Sequence, residues 1–320
     1  MIDVCPKLLI AHIEPQGNVL HYLFFYIDQV NENLQNEIRG IALLLIDRNP
    51  KLLKMKDANR MVPLHCLFHS HNVTITPEWP RWLVSIIAPY PEALVSENEN
   101  AVTPFQSFWK YFAYDSQGFE MEPDQIAAKF WCDNDRKSNS LYYILWECIL
   151  MMISCFSDNS TKSMDMPLHN LASSSLTTPE IMSLGASIHH RELDRLDSKG
   201  NTPLHCACTH NRIHNASILA RMNPDAARAR NMDGYLPVFL ALSNGTSLPW
   251  KDGLKEIVEA NPDALYGSNV IRGQMYPFML LASVAKGVCE RARLEAMECA
   301  FEMIRLCPDL ITTKKGREAL

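Results

Sequence analysis

Two proline-centred motifs recur along this chain and hold a fixed distance from each other. The first reads x-Pro-(Asp/Glu/Lys)-(Ala/Leu)-(Leu/Ala). It occurs as Asn49-Pro50-Lys51-Leu52-Leu53, Tyr90-Pro91-Glu92-Ala93-Leu94, Asn223-Pro224-Asp225-Ala226-Ala227 and Asn261-Pro262-Asp263-Ala264-Leu265, with Cys5-Pro6 and Cys307-Pro308 near the two ends. The second reads Pro63-Leu64-His65, Pro104-Phe105, Pro167-Leu168-His169, Pro203-Leu204-His205, Pro237-Val238 and Pro277-Phe278. The step from the first proline to the second is 13 residues for Pro50 to Pro63, Pro91 to Pro104 and Pro224 to Pro237, and 15 for Pro262 to Pro277. Pro6 to Val19 is again 13, which marks Val19 as a degenerate copy. Proline suits the first position of a helix, where its missing N–H is no loss, and it ends a helix that precedes it. A helix stop and a helix start at constant offset define a repeat, and the chain is therefore expected to stack supersecondary units.

The best-preserved copy is Asp197-Ser198-Lys199-Gly200-Asn201-Thr202-Pro203-Leu204-His205-Cys206-Ala207. Asp and Gly shape a tight turn, Thr202 can cap a helix, Pro203 occupies its first position and Leu204 begins its buried face. This segment resembles the D-x-x-G-x-T-P-L-H-x-A opening of the ankyrin repeat family. The resemblance implies an all-α, ankyrin-type helical repeat solenoid with short β-hairpin fingers. First helices are expected to start near 19, 63, 104, 167, 203, 237 and 277, at spacings of 44, 41, 63, 36, 34 and 40 residues, against a usual period of about 33. The excess falls in loops. Residues 114–140 are expected to form the largest insertion, with an extra short helix from Pro123 to Trp131 before a long one at Leu141 to Phe156, and His189 to Leu193 are expected to be inserted into a hairpin finger. Residues 1–320 are expected to form one continuous array. Both ends fall in mid-repeat, which is what a piece of a longer protein would show.

Thr stands at the helix-capping position only at Thr103 and Thr202. The other five copies are expected to go without a cap contribution of about 1 kcal/mol each. The positions where ankyrin repeats usually carry small residues are bulky in the first three copies (Leu23/Phe24, Leu67/Phe68, Phe108/Trp109) and mixed or small later, as at Ala207/Cys208. Wider helix spacing is expected in the N-terminal half.

A formal charge of −6 with scattered basic residues leaves no Lys/Arg stripe for phosphates, so no nucleic-acid partner is expected. The first sixteen residues lack a signal-peptide layout. The most apolar stretch, Leu141 to Phe156, is short for a bilayer and carries Glu147, so no membrane insertion is expected. Ten singly spaced cysteines without a secretory signal read as reduced thiols. The expected setting is intracellular, in cytoplasm or nucleus, with the chain a monomeric array.

Two clusters invite a metal reading: His65, Cys66, His69 and His71, and His205, Cys206, Cys208 and His210. In each, the first histidine is the repeat's own, and Cys206 and Cys208 point to nearly opposite helix faces. Cys5-Pro6 and Cys307-Pro308 resemble haem-responsive Cys-Pro dipeptides, but asparagine or tyrosine fills that slot in the other copies. There is no phosphate loop, nucleophile elbow or H-E-x-x-H. No cofactor, metal or catalysis is expected. The resemblance implies instead a scaffold that binds another protein on a concave face built from first helices and fingers. Projected there are Tyr22, Phe25 and Tyr26, an aromatic group of the kind enriched at interface hot spots. Next come Cys66 and His69, then Ser107, Lys110 and Tyr111, then Cys206, Thr209 and His210, with Arg60, Lys199 and Tyr235 at finger tips. Two other functions stay open: the cytosolic ankyrin segment of a larger membrane or signalling protein, and a metal- or haem-binding module.

Overall fold

The computed structural model of the protein describes residues 17–69, 75–114, 120–132, 141–156, 166–244, 250–266, 276–284 and 290–308. Among the described residues the secondary structure is helical, with no strand and one isolated bridge between Tyr114 and Glu120. No helix among them is long and apolar enough to cross a membrane. The chain divides into two compact units, Met1–Asp158 and Asn159–Leu320.

The first unit holds α1 (Val19–Tyr26), α2 (Glu32–Arg48), α3 (Pro63–His69), α4 (Trp79–Ile87), α5 (Pro104–Ala113), α6 (Pro123–Cys132) and α7 (Leu141–Phe156). Its helices lie in two rows: α1, α3 and α5 pack in succession, and so do α2, α4 and α7. Aromatic rings fill the space within and between rows. Phe24 meets Trp82 edge-on at 6.1 Å, Phe68 meets Phe108 at 5.0 Å, and Phe112 stacks with Trp146 at 6.3 Å. The Arg39 guanidinium sits over Trp79 and Trp82, at 5.3 and 5.6 Å from the ring centres, so a cation fills a core position by stacking on indoles.

The second unit holds α8 (Pro167–Ser173), α9 (Pro179–Ile188), α10 (Pro203–Thr209), α11 (Ile213–Met222), α12 (Pro237–Asn244), α13 (Lys255–Ala260), α14 (Pro277–Val284) and α15 (Glu290–Leu306). Here α8, α10, α12 and α14 form one row, α9, α11 and α13 another, and α15 packs on α14. A π-helical turn at Trp250–Leu254 leads into α13. Small residues let the first row pack closely: Ala172, Ala207, Cys208 and Ala241 are all completely buried.

The x-Pro motif has one backbone form in four places. Asn49, Asn223 and Asn261 end a helix and Tyr90 follows one closely, all with φ between −153° and −140° and ψ between 74° and 83°. The proline that follows each opens a 3-10 turn: Pro50–Lys54, Pro91–Val95, Pro224–Arg228 and Pro262–Leu265. The proline forbids a continued α-helix, and the two apolar residues after its neighbour, such as Leu52 and Leu53, turn into the core.

Four tight turns precede first helices and share one construction. The Oδ1 of Asp57, Asn98, Asp197 and Asn231 accepts the backbone N–H four residues on, at 2.8–3.0 Å. The residue three positions on has positive φ: Arg60 (58°), Ala101 (56°), Gly200 (72°) and Gly234 (78°). In the turn before α12 the organising side chain is thus Asn231, and Asp233 is an exposed turn residue. Neighbouring turns are joined by backbone bonds, Glu99 N–H to the Asn59 carbonyl at 3.1 Å and Met232 N–H to the Lys199 carbonyl at 3.0 Å. These contacts tie turn to turn without forming named strands.

The expected shortage of caps is corrected at α1. Asn18 accepts from the Leu20 N–H at 2.9 Å while its amide donates to the Leu52 carbonyl at 2.8 Å, so asparagine there does the work of threonine. In α8, where Met166 offers no side-chain cap, the 3-10 segment His190–Glu192 supplies one from outside: Glu192 Oε2 accepts from the Leu168 N–H at 3.3 Å.

Candidate binding face of the first helices

The repeat histidines organise this face. His21, His65 and His205 each accept on Nδ1 the backbone N–H three residues earlier, from Asn18, Val62 and Thr202. With Nδ1 an acceptor, Nε2 carries the proton and donates to a carbonyl of the next turn: His21 to Met61 at 2.9 Å, His65 to Val102 at 2.9 Å and His205 to Tyr235 at 3.2 Å. His169 makes the corresponding bond to Asn201 at 3.0 Å. Burial holds His65, His169 and His205 below the usual histidine range, partly offset by these backbone bonds. Each neutral ring is a strut that sets the distance between one first helix and the turn that follows.

In the first unit that spacing leaves a cavity of about 340 Å³ between α1 and the turn at Asp57. Tyr22, Phe25 and Tyr26 line one side, Asp57, Ala58, Asn59 and Met61 the other, with His21 and Cys66 also in its wall. Tyr22 and Tyr26 lie parallel at 6.4 Å, and Phe25 meets Tyr26 edge-on at 5.1 Å. Phe25 and Tyr26 are 50% and 45% exposed, so the outer faces of this aromatic group form an apolar patch among the described residues. Helical spacing brings the three aromatics together; the opposite wall comes from a turn more than thirty residues on.

Other side chains expected on this face are distributed differently. His69 and Lys110 are exposed in the first unit, and the side chain of Tyr111 lies outside the described residues. Cys66, expected to project outward, is buried, because it closes the cavity from the α3 side. In the second unit Thr209 and His210 are exposed but turned back on their own helix, Thr209 Oγ1 donating to the His205 carbonyl and His210 Nδ1 bonding with that of Cys206. Lys199 is exposed at its turn. Tyr235, expected at an exposed tip, is half-buried, since its N–H and carbonyl are engaged by Asn231 and His205.

The chemistry open to the clustered His and Cys is limited by these bonds. Both nitrogens of His65 and of His205 are occupied, so neither ring has a lone pair for a metal. Burial pushes the Cys66 and Cys206 thiols up to about 12, and Cys208 higher still, which keeps them protonated and weak as ligands or nucleophiles. His71, Cys5 and Pro6 lie outside the described residues. Among the described residues no three His, Cys, Asp or Glu converge to hold a metal ion.

No protein-family model matches this chain, and a search of curated proteins finds none similar to it.

Proposed function

We propose that the chain is a non-catalytic, intracellular scaffold of divergent ankyrin-type repeats that binds another protein on the face of its first helices and turns. The observation that carries this reading is the aromatic group Tyr22, Phe25 and Tyr26, with Phe25 and Tyr26 half-exposed, along a cavity whose far wall is a hydrogen-bonded turn. Large aromatics at the centre of a concave, preformed site are the usual energetic core of a protein interface. The repeat sequence at Asp197 to Ala207, the recurring Asx turns and the histidine struts support the family reading. The engaged rings and protonated thiols argue against a metal- or haem-binding module.

Proximity labelling with the full chain tests the proposal against a variant carrying Tyr22→Ala, Phe25→Ala and Tyr26→Ala. A discrete set of neighbouring proteins is expected with the parent chain and lost with the variant, at unchanged helicity and melting temperature. An identical set from a folded variant would remove this face from the function.

A further inference from the structure

We infer that the cavity between α1 and the Asp57 turn receives an arginine side chain of a protein partner; this deepens the protein-binding reading above and rests on it. Three observations converge on a planar cation. The described lining presents the faces or edges of three aromatic rings, Tyr22, Phe25 and Tyr26. Its one ionised side chain is Asp57, because His21 sits between the Asn18 N–H and the Met61 carbonyl and the Cys66 thiol is held protonated by burial. Of the two basic residues at that turn, Lys56 is turned away to the Glu97 carbonyl at 3.1 Å, and Arg60 is exposed at its left-handed position and is not part of the described lining.

Asp57 is also placed to receive a donor. Its Oδ1 accepts the N–H groups of Asn59 and Met61, at 2.9 and 2.8 Å, which fixes the carboxylate. In the equivalent turn of the second unit the other oxygen, Asp197 Oδ2, is met by the Asn201 amide at 3.1 Å. Met61 stands at the Asn201 position here, offers no such donor, and lines the cavity instead. Asp57 Oδ2 therefore has no hydrogen-bond partner among the described residues. A guanidinium suits this site better than an ammonium: it is flat, less strongly hydrated, stacks on ring faces and carries fork-like donors for a carboxylate. The same chain already holds one guanidinium this way, Arg39 over two indoles.

The test titrates the full chain, labelled with fluorine on its tyrosines, with N-acetyl-arginine methylamide and follows the fluorine resonances. The matching lysine and citrulline compounds are run beside it. Saturable shifts of the Tyr22 and Tyr26 signals are expected with arginine, at least tenfold weaker with lysine, and absent with citrulline, which keeps the shape without the charge. Asp57→Asn is the informative variant. Asn98 and Asn231 hold their own turns through Oδ1, so it removes the charge and keeps the turn. It should weaken arginine binding at least tenfold with unchanged melting temperature. Equal shifts with citrulline, or no loss in Asp57→Asn, would overturn the arginine site. Partner capture that depends on the aromatics without any arginine response would overturn it while leaving the scaffold reading intact. Arginine binding with no aromatic-dependent partner would overturn the scaffold reading.

Discussion

The Glu192 carboxylate caps α8 from 24 residues away, accepting the Leu168 N–H at 3.3 Å. The short turn that follows α9 therefore completes α8, whose own capping position holds Met166. Burial raises the Glu192 pKa against the opposing pull of that hydrogen bond and of Arg195, so the charge is held at some cost. Glu192→Ala is expected to lower stability by about 1 kcal/mol in urea denaturation at pH 7, the worth of a lost cap. Glu192→Gln, which keeps an acceptor and sheds the buried charge, should lose less than half of that. Equal losses in the two variants would mean that the oxygen does not cap the helix.

Histidine protonation should weaken the protein in mild acid. His65, His169 and His205 have folded pKa values depressed by burial, and burial lowers His189 to about 4. A depressed histidine contributes stability that is complete above the unfolded value near 6.5 and is lost as pH falls toward the folded value, because only the unfolded chain takes the proton. Urea midpoints are expected to be flat from pH 7 to 8 and to fall from about pH 6.5 to 4. Each histidine adds a slope of up to about 1.4 kcal/mol per pH unit within its own window. His205→Gln should be less stable at pH 7.5 and show a shallower acid slope. A parent midpoint that rises on acidification through this range would contradict the assignment of neutral struts.

The turns before α3, α5, α10 and α12 each need a left-handed residue, and two of the four lack glycine. Arg60→Gly and Ala101→Gly should each stabilise by about 0.5 kcal/mol. Relief of a non-glycine left-handed residue, about 1–2 kcal/mol, outweighs the extra unfolded-state entropy of glycine. Gly200→Ala should cost about 2 kcal/mol or more. Its φ of 72° would be strained, and a Cβ there would lie 3.0 Å from the Met232 nitrogen that binds the Lys199 carbonyl. Thermal melts of the three variants check the signs together.

Arg39 should not tolerate lysine. Its guanidinium spreads over Trp79 and Trp82 while Nη1 donates to the Asn36 Oδ1 at 3.1 Å, a geometry that an ammonium cannot copy. Arg39→Lys is expected to lose about 1 kcal/mol and Arg39→Ala about 2 kcal/mol, with a shift in tryptophan emission as the indoles gain water. An unshifted emission spectrum in Arg39→Ala would show that the stacked pair is not what shields these rings.

Helix positions were legible in the sequence because proline acts locally. A ring that cannot donate an N–H and that disfavours the helical conformation in the residue before it marks a boundary without help from the rest of the chain, and first helices begin at Pro63, Pro104, Pro167, Pro203, Pro237 and Pro277. Asn18, Asn98 and Asn231 were harder to read. Each places an Oδ1 where aspartate or threonine would have placed an oxygen, so the chemistry is kept while the letter changes. Ala101 hides its turn further by standing where glycine is expected. At the candidate site the aromatic side was legible, since Tyr22, Phe25 and Tyr26 are neighbours at helical spacing. The wall facing it was not. Asp57 and Met61 come to the cavity from a turn more than thirty residues on, tied to α1 by the His21 to Met61 bond, and the cap from Glu192 likewise depends on contacts far apart in the chain.

The histidine struts all point one way along the chain. His21, His65, His169 and His205 find their acceptors 40, 37, 32 and 30 residues toward the C-terminus. On a ribosome, each imidazole would therefore leave the exit tunnel before its partner carbonyl had emerged from it. A growing chain would carry one unsatisfied buried ring at its leading edge, handed forward as each new turn emerged, so that the last turn translated in each run locks the helices that came before it.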